Sequence, residues 1–147
     1  MASMSLDENT GNPVVLLLVP PEEMCLPIWI GPAEAASIAL ALRGEKYQRP
    51  LTHDLACTII DGLGGRVDKV VITDQREGTY FGKLYLRRDQ ELVGIDARPS
   101  DCIALALRCD APIFLSETVL EAVRENLLPL DVLQPPAADP DAETEDD

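Results

Sequence analysis

Apolar runs and polar punctuation divide this chain into short elements. VVLLLV at 14–19 has strand length and no polar residue, so it is expected to be buried on both faces, and LPIWI at 26–30 follows as a second strand. Pro32 opens AEAASIALALR as a helix, with Gly44 placed to close it in a left-handed C-cap. RPLTHDL begins another helix, with Thr52 as N-cap and Asp54 in its first turn. There Leu55, Ala56, Ile59, Ile60 and Leu63 recur at helical spacing until Gly64-Gly65. RVDKVVIT (66–73), TYFGKLYLR (79–87) and ELVGI (91–95) read as a meander, with polar turns at 76–78 and 88–90. A helix over 99–109, a short PIFL strand and a last helix capped by Ser116 and running to about Asn126 complete the pattern.

The hexapeptide IALALR occurs twice, at 38–43 and 103–108, with an Ile (Ile30, Ile95) at the same offset before each copy. Taken alone it alternates like a strand. Alanine is a poor strand residue, however, and each copy follows a Pro and a carboxylate suited to a helix start, so both copies read as helices. The fold class is α+β: a mixed sheet packed against helices, with a degenerate internal strand–helix duplication. Helices this apolar must be covered by a sheet or a subunit interface, and with the Leu-rich stretch at 127–133 they point to a homodimer.

Composition refines this picture. At 147 residues, with 46% hydrophobic and 4% aromatic content, the chain builds one domain whose core is mainly Leu, Ile, Val and Ala. Residues 13–133 form that domain, between an N-terminus (1–12) and an acidic tail (134–147) that are expected to be disordered. Asp7, Glu8 and the six acids of DPDAETEDD account for eight of the fourteen net negative charges. The body remains acidic and shows no basic footprint for nucleic acid. Cys25, Cys57, Cys102 and Cys109 form no CxxC pair and read as reduced thiols. With no signal peptide and no membrane-length apolar run, the expected location is the cytoplasm and no membrane partner is expected.

Two polar clusters sit at helix entrances around prolines. In IDARPSDC, Pro99 suits the first helical position and Asp101 can meet free N–H groups of the first turn, but capping does not explain Asp96 or Arg98. In RPLTHDL, Arg49, Thr52, the only histidine (His53) and Asp54 gather in the same way, with His53 expected to be exposed in the capping turn. If the two entrances meet, carboxylates could hold Mg²⁺ or Mn²⁺, with Asp96 and Asp101 as ligands, and Arg98 could clamp a phosphate. His53 with Asp54 could then assist proton transfer. On TYFGKLYLR, Phe81, Lys83, Tyr85 and Arg87 share a face that could stack bases and neutralise phosphates.

These segments, LPIWIGPAEAASIALALRG, RPLTHDL, TYFGKLYL and IDARPSDCIALALRCDAPIFL, resemble the bifunctional nuclease domain family in order across residues 14–125, in the manner of a bacterial single-domain member. The resemblance implies a compact α+β domain that cleaves both DNA and RNA. It marks Arg49, His53, Asp54, Asp96, Arg98, Ser100 and Asp101 as motif-matched site candidates. Catalytic roles fall on His53, Asp54, Asp96 and Asp101, and substrate contacts on Arg49, Arg98, Ser100, Lys83 and Arg87. The rival expectation is a non-catalytic interaction or regulatory module. In that case the polar helix entrances only secure the fold, and convergence of the carboxylates and His53 on an open cleft separates the two.

Overall fold

A computed structural model describes residues 2–6, 11–19, 24–45, 48–124 and 127–129, in the order β1 (Ala2–Leu6), β2 (Pro13–Val19), β3 (Met24–Trp29), α1 (Pro32–Arg43), α2 (Thr52–Gly62), β4 (Arg66–Arg76), β5 (Thr79–Arg88), β6 (Glu91–Ala97), α3 (Pro99–Cys109), β7 (Ile113–Leu115), α4 (Glu117–Val123) and β8 (Leu128–Pro129). The fold is α+β as expected, with the strands divided between two four-stranded sheets where one mixed sheet was expected. One, in the order β1-β2-β3-β8, is antiparallel throughout; the other, in the order β6-β5-β4-β7, is mixed because β7 runs parallel to β4.

The internal duplication is larger than a strand and a helix. Each half lays down three antiparallel strands and then an IALALR helix: β1-β2-β3-α1, and β4-β5-β6-α3. Both copies are helical, and Pro32 and Pro99 occupy the first helical position. Gly44 closes α1 at φ 68°, the left-handed conformation that glycine adopts without a Cβ penalty. Ile30 lies just beyond β3, whereas β6 continues past Ile95 to Ala97.

Identical sequence meets different surroundings in the two copies. Helix α3 lies between two apolar clusters. Ile103 and Ala104 pack with Val15, Leu26, Ile38 and Ile72, while Cys102, Leu105 and Ala106 pack with Val67, Val70 and Leu84. Helix α1 packs against α3 and buries only Ala35 and Ile38. Only α3 is thus largely covered within the chain; along α1, Ala39, Leu40 and Ala41 stay half-buried and Leu42 is exposed. Gly82 on β5 makes the central position of α3 possible: a Cβ there would meet Cys102 Sγ at 2.8 Å and the Ala97 carbonyl oxygen at 3.0 Å.

Several local expectations change. Ala2–Leu6, expected to be disordered, forms β1, whose ASMSL alternates apolar residues with serine and pairs antiparallel along β2. The N-cap of α2 is Leu51 rather than Thr52, and the Asp54 carboxylate accepts the Leu51 N–H at 2.9 Å. Ser116 caps α4 as expected, accepting the Val119 N–H at 3.2 Å, and α4 ends at Val123. Asn126, the last residues of the Leu-rich 127–133 stretch and the 134–147 tail lie outside the described residues. All four cysteines are free; Cys25 and Cys102 are buried, while Cys57 on α2 and Cys109 on α3 meet with their sulfurs 3.0 Å apart. Burial, then contact with Cys109, pushes the Cys57 thiol up to about 12. Among the described residues no helix is long and apolar enough to cross a membrane.

Candidate functional site

The N-terminal halves of α1, α2 and α3 come together, and their polar residues form one continuous chain of hydrogen bonds. The Ser37 hydroxyl lies 2.6 Å from His53 Nδ1, and His53 Nε2 lies 2.9 Å from Asp101 Oδ1. Arg98 Nε donates to Asp101 Oδ2 at 2.9 Å and Nη2 to Asp101 Oδ1 at 3.1 Å, while Nη1 donates to Glu34 Oε1 at 2.8 Å. An ionised Asp101 can only accept, so Nε2 carries the imidazole proton, and Nδ1 is left to accept from the Ser37 hydroxyl. A hydroxyl bonded to a base whose far nitrogen is held by a carboxylate is the arrangement that activates hydroxyl nucleophiles; here the two ring nitrogens are interchanged relative to the serine-protease template.

His53 was expected to be exposed, yet its side chain is only 15% accessible, because α1 and α3 close over it from both sides. Asp101 was expected to cap α3, but Arg98 at the N-cap receives no side-chain cap and the carboxylate turns to Arg98 and His53 instead. Two of the arginine's five N–H donors remain for a ligand, one on each terminal nitrogen, and its side chain is 63% accessible. Arg98 forms part of the lining of a cleft of about 370 Å³ together with Trp29, Gly31, Glu34, Tyr80 and Ser100.

The other expected residues lie elsewhere. Asp54 does not join His53. Its carboxylate takes the Leu51 N–H and Arg108 Nε (2.9 Å), and Arg108 also donates to the carbonyls of Ala104 and Ser37. Asp96 is out of phase with the inward Ala97, so it stands beside Lys83 on the sheet face away from the helices. Lys83 and Arg87 occupy that same outer face; Lys69 and Lys83 flank the Tyr85 ring at 5.1 and 6.0 Å, and Arg87 pairs with Asp68. Arg49 is exposed in the loop before α2, and Ser100 is buried in the first turn of α3.

Asp96 and Asp101 therefore do not fit the expected Mg²⁺ or Mn²⁺ pair. They point to different sides of the sheet, and both oxygens of Asp101 are already engaged. Among the described residues no group of three or more His, Cys, Asp or Glu is placed to hold a metal ion. Sequence reading missed Ser37, Glu34 and Arg108. The available signal was Ser37 itself, the one hydroxyl within the apolar run of α1.

The charges are tuned together. Burial disfavours the Asp101 carboxylate, but hydrogen bonds from Arg98 and then His53 outweigh it and hold its pKa below the usual range. Glu34 is lowered by its own backbone N–H and then Arg98, and Asp54 by the Leu51 N–H and, against burial, Arg108. In each case the folded value is depressed, so near pH 4 the unfolded chain binds more protons than the folded one. The stabilisation is complete above about pH 5 and is lost as pH falls through the depressed values. Thermal melts should thus be level from neutral pH to about 5 and decline below about 4. A melting temperature indifferent to that acidification would show that the network contributes nothing to stability.

The bifunctional nuclease domain matches residues 15–127. An uncharacterized protein of Mycobacterium tuberculosis (strain ATCC 25618 / H37Rv) is 41% identical over 120 residues, covering 82% of this chain and 71% of that protein. Bifunctional nuclease 1 of Oryza sativa subsp. indica is 27% identical over 116 residues, and Bifunctional nuclease 2 of Arabidopsis thaliana 29% over 103 residues. The aligned part is 35% of the rice protein and 31% of the Arabidopsis one, so the chain corresponds to about a third of each plant relative. Through a match that takes in all three helices of the hydrogen-bonded site, the chain belongs to the bifunctional nuclease domain family.

Proposed function

We propose that this chain hydrolyses phosphodiester bonds in DNA and RNA in the cytoplasm. The observation that carries the reading is the Ser37–His53–Asp101 relay beside the accessible guanidinium of Arg98. His53 takes the proton of the Ser37 hydroxyl at Nδ1 as that oxygen attacks phosphorus, and returns it to the departing sugar oxygen as the P–O bond breaks. Water, deprotonated by His53 in turn, then releases the phosphate from Ser37, while Asp101 holds the tautomer and stabilises the imidazolium. The remaining Arg98 donors contact the phosphate. Trp29 and Tyr80 give the adjoining cleft aromatic walls against which a neighbouring base can stack. No step is assigned to a metal ion, and Lys83 and Arg87 take no part in the chemistry.

A second reading has its own support. Glu34, Arg98, Asp101 and His53 are mutually paired, and no buried side-chain polar atom among the described residues lacks a partner, as expected of a clamp that only ties three helices together.

The deciding experiment incubates purified wild type and an identically purified Arg98→Ala variant with labelled single-stranded RNA and DNA, with and without EDTA. Cleavage by wild type that persists in EDTA and is sharply reduced in the variant supports the residue-based mechanism. Cleavage abolished by EDTA would transfer the chemistry to a bound cation. Intact substrate throughout, with a lowered melting temperature in the variant, would favour the clamp.

A further inference from the structure

We propose that two copies of this chain join through β6, strand to antiparallel strand, about a two-fold axis at Gly94. Strand β6 is the edge of its sheet: β5 pairs with one side, and among the described residues no strand pairs with the other. Natural edges are blunted by proline, bulges or inward charges. Strand β6 has none of these in its middle, and its ladder with β5 runs without a shift in register. Instead Leu92, Val93 and Ile95 are 43%, 46% and 42% accessible and project from both faces. On the helix-bearing side, α2 adds Leu55, Ile59 and Leu63, a second exposed apolar strip at i, i+4, i+8 spacing.

The open ladder requires an extended segment as its occupant, and the strand is complementary to itself. With Gly94 on the axis, Val93 of one copy lies opposite Ile95 of the other, which covers the apolar pair on the helix side. Glu91 falls opposite Ala97 of the second copy, beside its accessible Arg98, and the symmetry repeats this opposite-charge contact at the other end. On the outer face Leu92 meets Asp96 of the second copy, flanked by Arg87 on one side and the second Lys83 on the other. At the axis Gly94 carries no side chain, and Lys83 and Tyr85 lie over it: a Cβ there would meet Lys83 Cε at 2.8 Å and Tyr85 Cε1 at 3.3 Å. The two tyrosines then cover the glycine pair, as aromatic side chains do over strand glycines. Pairing produces one continuous eight-stranded sheet and brings each Arg98 next to the other copy.

Size-exclusion chromatography with light scattering should give wild type twice the 16.0 kDa chain mass. Ile95→Arg places a charge on the paired face and should halve that mass without altering the far-ultraviolet circular dichroism. Gly94→Cys tests the register and should form a disulfide-linked dimer under mild oxidation where wild type does not; it also decides the matter if Ile95→Arg misfolds. A wild type that stays at 16.0 kDa at every soluble concentration overturns the proposal. So does a dimer that survives Ile95→Arg and is not cross-linked by Gly94→Cys, which would place the interface elsewhere.

Discussion

In a purified His53→Gln variant, phosphodiester cleavage should fall by roughly 10²–10⁴-fold, the usual contribution of a positioned general base. Glutamine keeps hydrogen-bonding capacity toward Ser37 and Asp101 but cannot take up a proton at neutral pH. The melting temperature should therefore change far less than the rate. Ser37→Ala should reproduce the loss if the hydroxyl is the group that attacks. Asp101→Asn should be severe for a different reason: its amide can donate to Nε2 and so favour the tautomer in which Nδ1 no longer accepts from Ser37. Single-turnover cleavage rates of the three variants, set beside their melting curves, check this. Wild-type rates in His53→Gln would end the mechanism, and equal losses of rate and stability in all three would favour a structural clamp.

The largest effect on stability is expected at Ile103→Ala. This side chain is fully buried in α3 at the junction of β2, β3, β4 and α4, and those elements cannot all close on the space it leaves. Isoleucine-to-alanine changes at such sites cost about 2–5 kcal/mol, against a total of about 5–15 for a domain. At about 2–4 °C per kcal/mol for a chain of this size, the melting temperature should drop noticeably, with a matching fall in the denaturant midpoint. Leu42→Ala in the other IALALR copy removes a partly exposed side chain and should cost about 1 kcal/mol at most. Similar losses at both positions would contradict the central place of α3.

Wherever local chemistry decided the outcome, the elements were legible from residue order. Pro99 and the following apolar periodicity marked α3, Gly44 marked the end of α1, and the alternating runs marked the meander. Strand β1 was overlooked because its short apolar–serine alternation, ASMSL, sits at a polar, acidic terminus that reads as uncovered chain. The site was half legible. His53, Arg98 and Asp101 lie in recognisable helix entrances, whereas Glu34 and Ser37 reach them only because α1 packs against α3. Asp96 and Asp54 were misplaced for separate reasons. Strand alternation carries Asp96 to the outer face, and Arg108, 54 positions from Asp54 in the chain, draws the Asp54 carboxylate away from His53.

The close approach of α3 to Gly82 has a consequence for genetics. The residue at 82 touches no member of the relay, yet any side chain there pushes against Cys102, the immediate neighbour of Asp101. In a screen that scores only activity, a mild substitution at this strand position would be recorded as a catalytic-site allele. Second-site changes at Cys102 to smaller residues such as Ala should then suppress only in part, because the Ala97 carbonyl oxygen, 3.0 Å from the same Cβ, stays in place.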